Sequence, residues 1–418
     1  MIGFYRAGTE LVCDEVSLSA IADEIGTPTY VYSAALIRAR YRELDEAFGG
    51  YPHRLHYALK ANSSLGIAGL LRGLGSAADA NSIWEIEVAK AAGFALSDIV
   101  FTGVGKSPAE LECAVALDLK AINVESAGEL ARVEALATGS HRVARVAIRV
   151  NPDIDAKSHP HISTGLKINK FGVPVDTARE LVRSLAKRPA LKLVAMHVHV
   201  GSQITAIEPL RGAARFITQM VAELRRDGVA LEYVDLGGGL GIAYGEDAVI
   251  SPREYVQALL GELEATALPI VIEPGRSIVG PAGALLARVV DIKPRNALSE
   301  FAALDAGMSE LMRPALYNAF HRIELVRSRA SVERQYEVVG PICESTDVLG
   351  RDRSLPELAV GDLMAIRDVG GYGAAMASNY MRHPLPAELL VDKGRWTVIR
   401  RRQTVDDMLS LERQSGER

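Results

Sequence analysis

Lys60 follows a run, residues 54–59, in which Leu55, Tyr57 and Leu59 alternate with His56 and Ala58, so that nearly every position is apolar. A lysine beside such a run is usually a surface side chain reaching out to water. A strand apolar on both faces, however, is one buried in a parallel sheet, and at its end the ammonium sits partly out of water. Desolvation there lowers a lysine pKa and suits the amine to imine chemistry with a carbonyl compound. Two further stretches offer anion-binding groups: Gly237-Gly238-Gly239 after Tyr233-Val234-Asp235-Leu236, and Glu273-Pro274-Gly275-Arg276. Glycine runs are common loop punctuation. At a strand end they also expose backbone N–H groups with no side chain in the way, which suits a phosphate. Gly275 and Arg276 add an amide and a guanidinium, and Ser202 of His199-Val200-Gly201-Ser202 adds a hydroxyl.

These residues stand at the ends of eight stretches that read as strands: 54–59, 77–80 with Asp79, 99–102, 121–124, 143–150 with Arg149, 193–200, 233–236 and 270–272. A plausible helix follows each, for example 82–92 and 252–265. Strand alternating with helix eight times is the pattern of an α/β fold, a (β/α)8 barrel, whose sites lie at the C-terminal strand ends and whose phosphate sites follow strands seven and eight. The glycine run and Arg276 fall at those two strands.

At 418 residues the chain exceeds one barrel of roughly 250 residues and leaves room for a second domain. Beyond about residue 280 the pattern turns β-rich, at 284–292, 301–306, 335–339 and 363–367. The expected division is a barrel over 28–280 and a mostly-β domain made of 1–27 and 281–418. The short strands at 2–6 and 11–12 are expected to complete the C-terminal sheet, and Arg400-Arg401-Arg402 to lie on a solvated surface or sheet edge.

The net charge of −5, with both signs interspersed, gives no basic stripe, so nucleic acid is not an expected partner. No charged-then-apolar leader and no apolar run near the ~20 residues needed to cross a bilayer are present, so no membrane partner is expected and the reading is cytoplasmic. Cys13, Cys113 and Cys343 are odd in number and unrelated in spacing, which argues against a disulfide framework or zinc cluster. Gly103-Val104-Gly105-Lys106-Ser107 ends like a phosphate-binding loop, but Val100 stands where the motif needs its first glycine, and the stretch reads as a helix start.

His197 and His199, two apart on one strand, face one side and invite a metal reading. The other histidines do not stand at strand ends, so no metal is expected; His199 instead reads as a ring stacked on an aromatic cofactor, with His197 a buried neighbour. Lysine, phosphate cradle, stacking histidine and carboxylate together describe pyridoxal 5′-phosphate. Glu273 could pair with its pyridine nitrogen and make the ring a strong electron sink, which favours decarboxylation over racemisation.

The segments Tyr57-Ala58-Leu59-Lys60-Ala61-Asn62, His197-Val198-His199-Val200-Gly201-Ser202-Gln203, Gly237-Gly238-Gly239-Leu240-Gly241 and Glu273-Pro274-Gly275-Arg276 resemble the fold-type III, alanine-racemase-like decarboxylases, most of all the diaminopimelate decarboxylases. Further matches, among them Asn123-Val124-Glu125-Ser126, Arg149-Val150-Asn151-Pro152, Ser163-Thr164-Gly165-Leu166-Lys167, Arg313-Pro314-Ala315-Leu316-Tyr317, Cys343-Glu344-Ser345 and Gly371-Tyr372-Gly373, extend the likeness over nearly the whole chain.

The resemblance implies a cofactor site of Lys60, Asp79, Arg149, His199, Ser202, Gly237, Gly238, Gly239, Glu273, Gly275, Arg276 and Tyr372, the last near the phosphate. It implies that Arg276, Arg313 and Tyr317 grip a distal carboxylate of an amino-acid substrate, that Glu344 receives its distal ammonium, and that Tyr372 borders it. It further implies that Cys343 reprotonates the substrate carbon from the partner subunit of a homodimer. Read from residue type alone, Cys343 could equally be a small core residue and Arg313 a surface ion pair. The expected reaction is decarboxylation of meso-diaminopimelate to L-lysine and CO2, the last step of lysine biosynthesis. The alternatives are a decarboxylase of ornithine, lysine or a carrier-linked glutamate, a racemase, or a binding protein without turnover. Two positions depart from the family pattern: bulky Trp84 after the second strand, and Ile168 before Asn169-Lys170-Phe171-Gly172.

Overall fold

The computed structural model describes residues 1–155, 170–246 and 248–413. Ser163-Thr164-Gly165-Leu166-Lys167 and Ile168 lie outside the described residues.

Eight parallel strands close into a barrel: His53–Ala58, Ala77–Ala80, Ile99–Phe101, Ala121–Val124, Ala144–Asn151, Leu191–His197, Tyr233–Asp235 and Ile270–Ile272. Each pairs with the next, and the eighth returns to the first, with Ile272 opposite Leu55. All eight stretches read as strands in the sequence are present, because short apolar runs bounded by turn residues mark buried strands well. Val100, Ala121, Ala147, Ala195, Tyr233 and Val271 belong to one buried cluster.

Several helices begin where the sequence supplies caps. Ser82 accepts the Glu85 N–H ahead of Ile83–Ala91. Ser107 and Glu110 cap each other ahead of Pro108–Leu117, so the Gly103-to-Ser107 stretch is a helix start as expected. Ser251 and Glu254 do the same for Pro252–Leu263. Such caps satisfy N–H groups that have no partner inside the helix.

The chain divides into one unit of Ala39–Ala243 and Ala248–Ile278, which contains the barrel, and a second of Met1–Arg38, Tyr244–Asp247 and Val279–Arg418. The second unit carries a large sheet in the order Val348–Pro356, Glu333–Val339, Ser299–Leu304, Gly283–Pro294, Thr29–Ser33, Ala387–Asp392, Arg395–Arg400. Thr29–Ser33 enters it between Gly283–Pro294 and Ala387–Asp392, so the N-terminal part of this unit runs to Arg38 and not to the expected residue 27.

The expectation that the first strands complete that sheet is corrected. Phe4–Ala7, Glu10–Cys13 and Val16–Ser17 form a three-stranded sheet of their own. Two-residue turns join them: Gly8 (φ 63°) leads the first, and Asp14 and Glu15 (φ 45° and 72°) form the second. Such turns match strand twist and close at little entropic cost, so local pairing is made before distant pairing. The small sheet meets the rest of its unit through Leu11 N–H to Val326 O, 2.8 Å, and the Arg6–Glu324 ion pair, 2.8 Å. Arg400 pairs with buried Glu388 at 2.9 Å, Arg401 lies exposed against Asp407, and Arg402 donates to Pro28 O at 2.7 Å. The arginine run is thus partly a tie between chain ends.

No helix among the described residues is long and apolar enough to cross a membrane.

Candidate active site

Lys60 sits in the turn Leu59–Ala61 that ends the first barrel strand, with a third of its side chain exposed. Its Nζ donates to Asp79 Oδ2 at 2.9 Å, and Asp79, at the end of the second strand, is fully buried. Burial and the nearby Glu273 carboxylate push the Asp79 pKa up, while the Lys60 ammonium pulls it back. The Asp79 Oδ1 accepts from Asn81 at 3.1 Å.

Glu273 follows the eighth strand directly and is buried. Burial alone would raise its pKa, but the His197 imidazole and the Lys60 ammonium hold it below the usual carboxylate range. Its Oε2 lies 3.5 Å from His197 Nε2, and its Oε1 is a buried acceptor without a hydrogen bond among the described residues. His199 also acts electrostatically on the same carboxylate. The Gly238 N–H donates to His199 Nδ1 at 3.0 Å, so Nδ1 carries no proton and the ring is held in one orientation. Burial, then the charges of Lys60 and Arg149, push its pKa well below the ordinary value, which keeps the ring neutral.

The glycine turn leaves no space for side chains. A Cβ on Gly237 would come within 2.6 Å of His199 Nδ1, one on Gly238 within 2.3 Å of Glu273 O, and one on Gly275 within 2.9 Å of Ala61 Cβ. Gly237 also has a φ of 62°, which L side chains rarely adopt. One expectation changes here: Gly237 and Gly238 do not both turn their N–H groups outward for an anion. Gly237 N–H donates to Asp235 Oδ1 at 2.9 Å, and Gly238 N–H to His199. Within this turn only Gly239 is left for a phosphate, with Gly275 and the Arg276–Ser202 pair, Arg276 Nη2 donating to Ser202 Oγ at 3.1 Å. Replacing Gly238 by alanine should cost about 1–3 kcal/mol from overpacking and lower cofactor occupancy of the purified protein; melting curves with and without added cofactor, and absorbance at fixed protein concentration, measure both.

Arg149 lies deeper than the sequence suggests. It is buried, ion-paired with Glu125 at 2.7 Å and stacked 4.7 Å from the Phe171 ring centre. Glu125 also accepts the Gly172 N–H at 2.9 Å, so it ties the fifth strand to the chain beyond it. The sequence reading gave no role to Glu125, Asn123, Thr102 or Asp235, all of them buried. The signal available was their alternation with apolar residues at strand ends. Asn123 donates to Thr102 Oγ1 at 2.9 Å, and Thr102 in turn lowers the pKa of Asp79 by a hydrogen bond. Lys106, set aside as part of a helix start, is buried and donates to Gly103 O, Asn123 O and Glu129, each at 2.7 Å, which makes it a brace for these loops.

The remaining expected residues belong to the other unit. Arg313 is buried, not a surface ion pair: its guanidinium lies 2.7 Å from His321 Nε2 and 4.5 Å from the Tyr244 ring centre. His321 Nδ1 lies 2.8 Å from Arg367 O. A carbonyl only accepts, so Nδ1 carries the proton, and Nε2 is left to accept from Arg313. Arg313 and Tyr317 bound the same short helix, Arg313–Tyr317. Cys343 is a free, exposed cysteine, not a core residue, and Glu344 beside it accepts from Tyr380 at 2.6 Å. Their turn is pinned by buried Asp347, which accepts from Met308 N–H at 2.6 Å and Ile342 N–H at 2.7 Å. Tyr372 is half-buried at a φ of 60°. Trp84 is 71% exposed, so its bulk is accommodated at the surface.

A parallel barrel with an amine, a glycine-lined turn, an arginine–serine pair and a buried carboxylate at its strand ends defines a class of protein that holds an aromatic aldehyde phosphate. Residues 34–280 match the family model described as "Pyridoxal-dependent decarboxylase, pyridoxal binding domain". The chain is 43% identical over 409 residues, 98% of each chain, to diaminopimelate decarboxylase of Pseudomonas aeruginosa. It superposes with a TM-score of 0.91 and 41% identity on diaminopimelate decarboxylase from Helicobacter pylori complexed with L-lysine, over 94% of this chain and 98% of that one. The corresponding values for the M. jannaschii diaminopimelate decarboxylase in co-complex with L-lysine are 0.94 and 35%, over 99% of both chains. The chain belongs to the pyridoxal-dependent decarboxylases, and pyridoxal phosphate is its cofactor. The residues present fit that group: the buried Glu273 carboxylate, whose Oε1 has no hydrogen bond among the described residues, would suit a ring N–H, and the glycines let the backbone of these loops pack closely beside it.

Proposed function

We propose that the protein decarboxylates meso-diaminopimelate at its D-centre, releasing CO2 and L-lysine. The observation that carries this reading is the likeness along the whole length, over both units, to enzymes named for that reaction. The net change is that a proton replaces the departing CO2 on the reacting carbon, and the residues divide that work. When bound, the cofactor supplies an electron sink for the bond pair that CO2 leaves behind. Glu273 would hold a proton on its ring nitrogen, His199 would orient the ring, and Ser202, Gly239, Gly275 and Arg276 would hold its phosphate. Lys60 holds the cofactor, and Asp79 keeps its amine in place.

In this reading Arg313 and Tyr317 receive the distal carboxylate, Arg313 in the planar fork that guanidinium offers, while Glu344 receives the distal ammonium. Cys343 delivers the proton to the reacting carbon of the partner subunit's site. The exposure of Cys343 and Glu344 on a turn fixed by Asp347 supports that role in trans. The three free thiols suit a reducing compartment, and we place the enzyme in the cytoplasm.

The direct test is a panel of meso-diaminopimelate, lysine, ornithine and glutamate with CO2 detection. Diaminopimelate is expected to lead; a preference for lysine or ornithine overturns the assignment. The shared site is tested by mixing inactive Lys60→Ala and Cys343→Ala proteins. Random exchange makes half the dimers mixed, each with one intact site, so about a quarter of wild-type activity should return. Independent sites would give no recovery.

A further inference from the structure

Asp235 ends the seventh barrel strand, between His197 at the end of the sixth and Glu273 just past the eighth. All three are buried, and one polar atom of each lies within 4.8 Å of the other two. Asp235 Oδ1 accepts the Gly237 N–H at 2.9 Å. Its Oδ2 and Glu273 Oε1 are buried with no hydrogen-bond donor among the described residues. Two buried carboxylates within 4.8 Å of each other resist being ionised together, because each charge disfavours the other. One proton between them removes the repulsion and supplies the donor that both oxygens lack.

The surroundings decide which group keeps that proton. Glu273 faces Lys60, His197 and His199, and is held as the anion. Asp235 is pushed well above the usual carboxylate range by burial and by Glu273, with Asp79 across the barrel adding to it. Among the described residues His197 on the neighbouring strand, Lys120, Tyr233 on its own strand and Tyr255 from the helix Pro252–Leu263 also face it. Environments that drive two acids apart assign one as proton carrier and the other as anion. Because the Asp235 pKa is raised, the group holds its proton to higher pH than an ordinary carboxyl and gives it up as pH rises.

We propose that Asp235 is the protonated member of the pair and donates from its carboxyl to Glu273, which keeps the negative charge on the carboxylate assigned to the cofactor's ring nitrogen. Asp235 is thus a positioning residue, and its role does not depend on which amino acid is decarboxylated.

Infrared difference spectra of apoprotein and holoenzyme at neutral pH should show the carbonyl stretch of a protonated carboxylic acid. Asp235→Asn should abolish that band. Asparagine still accepts from Gly237 and offers an amide N–H to Glu273, so cofactor dissociation should stay within about threefold of wild type, whereas Asp235→Ala, which leaves an acceptor unsatisfied, should weaken retention about tenfold or more. On raising the pH, the visible band of wild-type holoenzyme should change as Asp235 ionises, and that change should be missing in Asp235→Asn. If Asp235→Ala fails to fold, the comparison of wild type with Asp235→Asn decides alone. An acid band that survives Asp235→Asn places the proton elsewhere and overturns the proposal, as does loss of cofactor by the asparagine variant. No readout uses an amino-acid substrate, so failure here and failure of the substrate assignment are distinguishable.

Discussion

Lys60→Ala should lose the visible absorption of the lysine-bound cofactor, the mass adduct trapped by borohydride, and decarboxylase activity together. Lys60 is the amine at the first strand end whose position is defined by a charge-assisted bond of 2.9 Å to a fully buried partner. In the proposed function its removal deletes the hold on the cofactor that supplies the electron sink, so activity should go with the absorption band. It also leaves Asp79 buried without its cation, so the Asp79 pKa should rise further and the apoprotein should lose stability as pH increases through it. Titration of thermal stability against pH reads that second effect. A variant that keeps the absorption band removes Lys60 from its role.

Arg313→Ala should damage the diaminopimelate reaction far more than any residual reaction with lysine. Both substrates carry the distal ammonium, but only diaminopimelate carries a second carboxylate. Truncating one partner of a desolvated charge pair costs about 2–5 kcal/mol, and each 1.4 kcal/mol is tenfold, so the ratio of the two specificities should shrink by tens or more. Arg313 is suited to this because the His321 and Tyr244 contacts fix its guanidinium. Steady-state kcat/KM for both substrates in wild type and Arg313→Ala measures it. An unchanged ratio sinks the carboxylate role of Arg313 while leaving the decarboxylase assignment intact.

Much of the candidate site was legible in the chain. Lys60, Asp79, His199, Ser202, Glu273 and Arg276 stand at ends of strands that short apolar runs announce, and a parallel barrel gathers its strand ends at one mouth. Other parts were not legible, because they turn on partners distant in sequence. The glycine run promises free N–H groups for an anion, yet two of its three are taken by Asp235 and His199. Lys106 reads as loop punctuation and is a buried brace. Arg313 reads equally as surface ion pair or ligand, and only the arrival of His321 and Tyr244 around it shows a buried cation.

Taken by itself, the chain determined the eight barrel strands, the helix starts and the identity of the chemical groups at the strand ends. These depend on local matters: the run length of apolar residues, a serine three places before an acid, a glycine where no Cβ fits. Tertiary structure alone decided that Thr29–Ser33 lies between strands some 250 and 360 residues away in the chain, that the first three strands pair among themselves, and that buried Asp235 comes within 4.8 Å of buried Glu273. Strand pairing between distant segments is a choice among many similar edges, and the charge on a carboxyl depends on the water and neighbours that remain when the fold has closed.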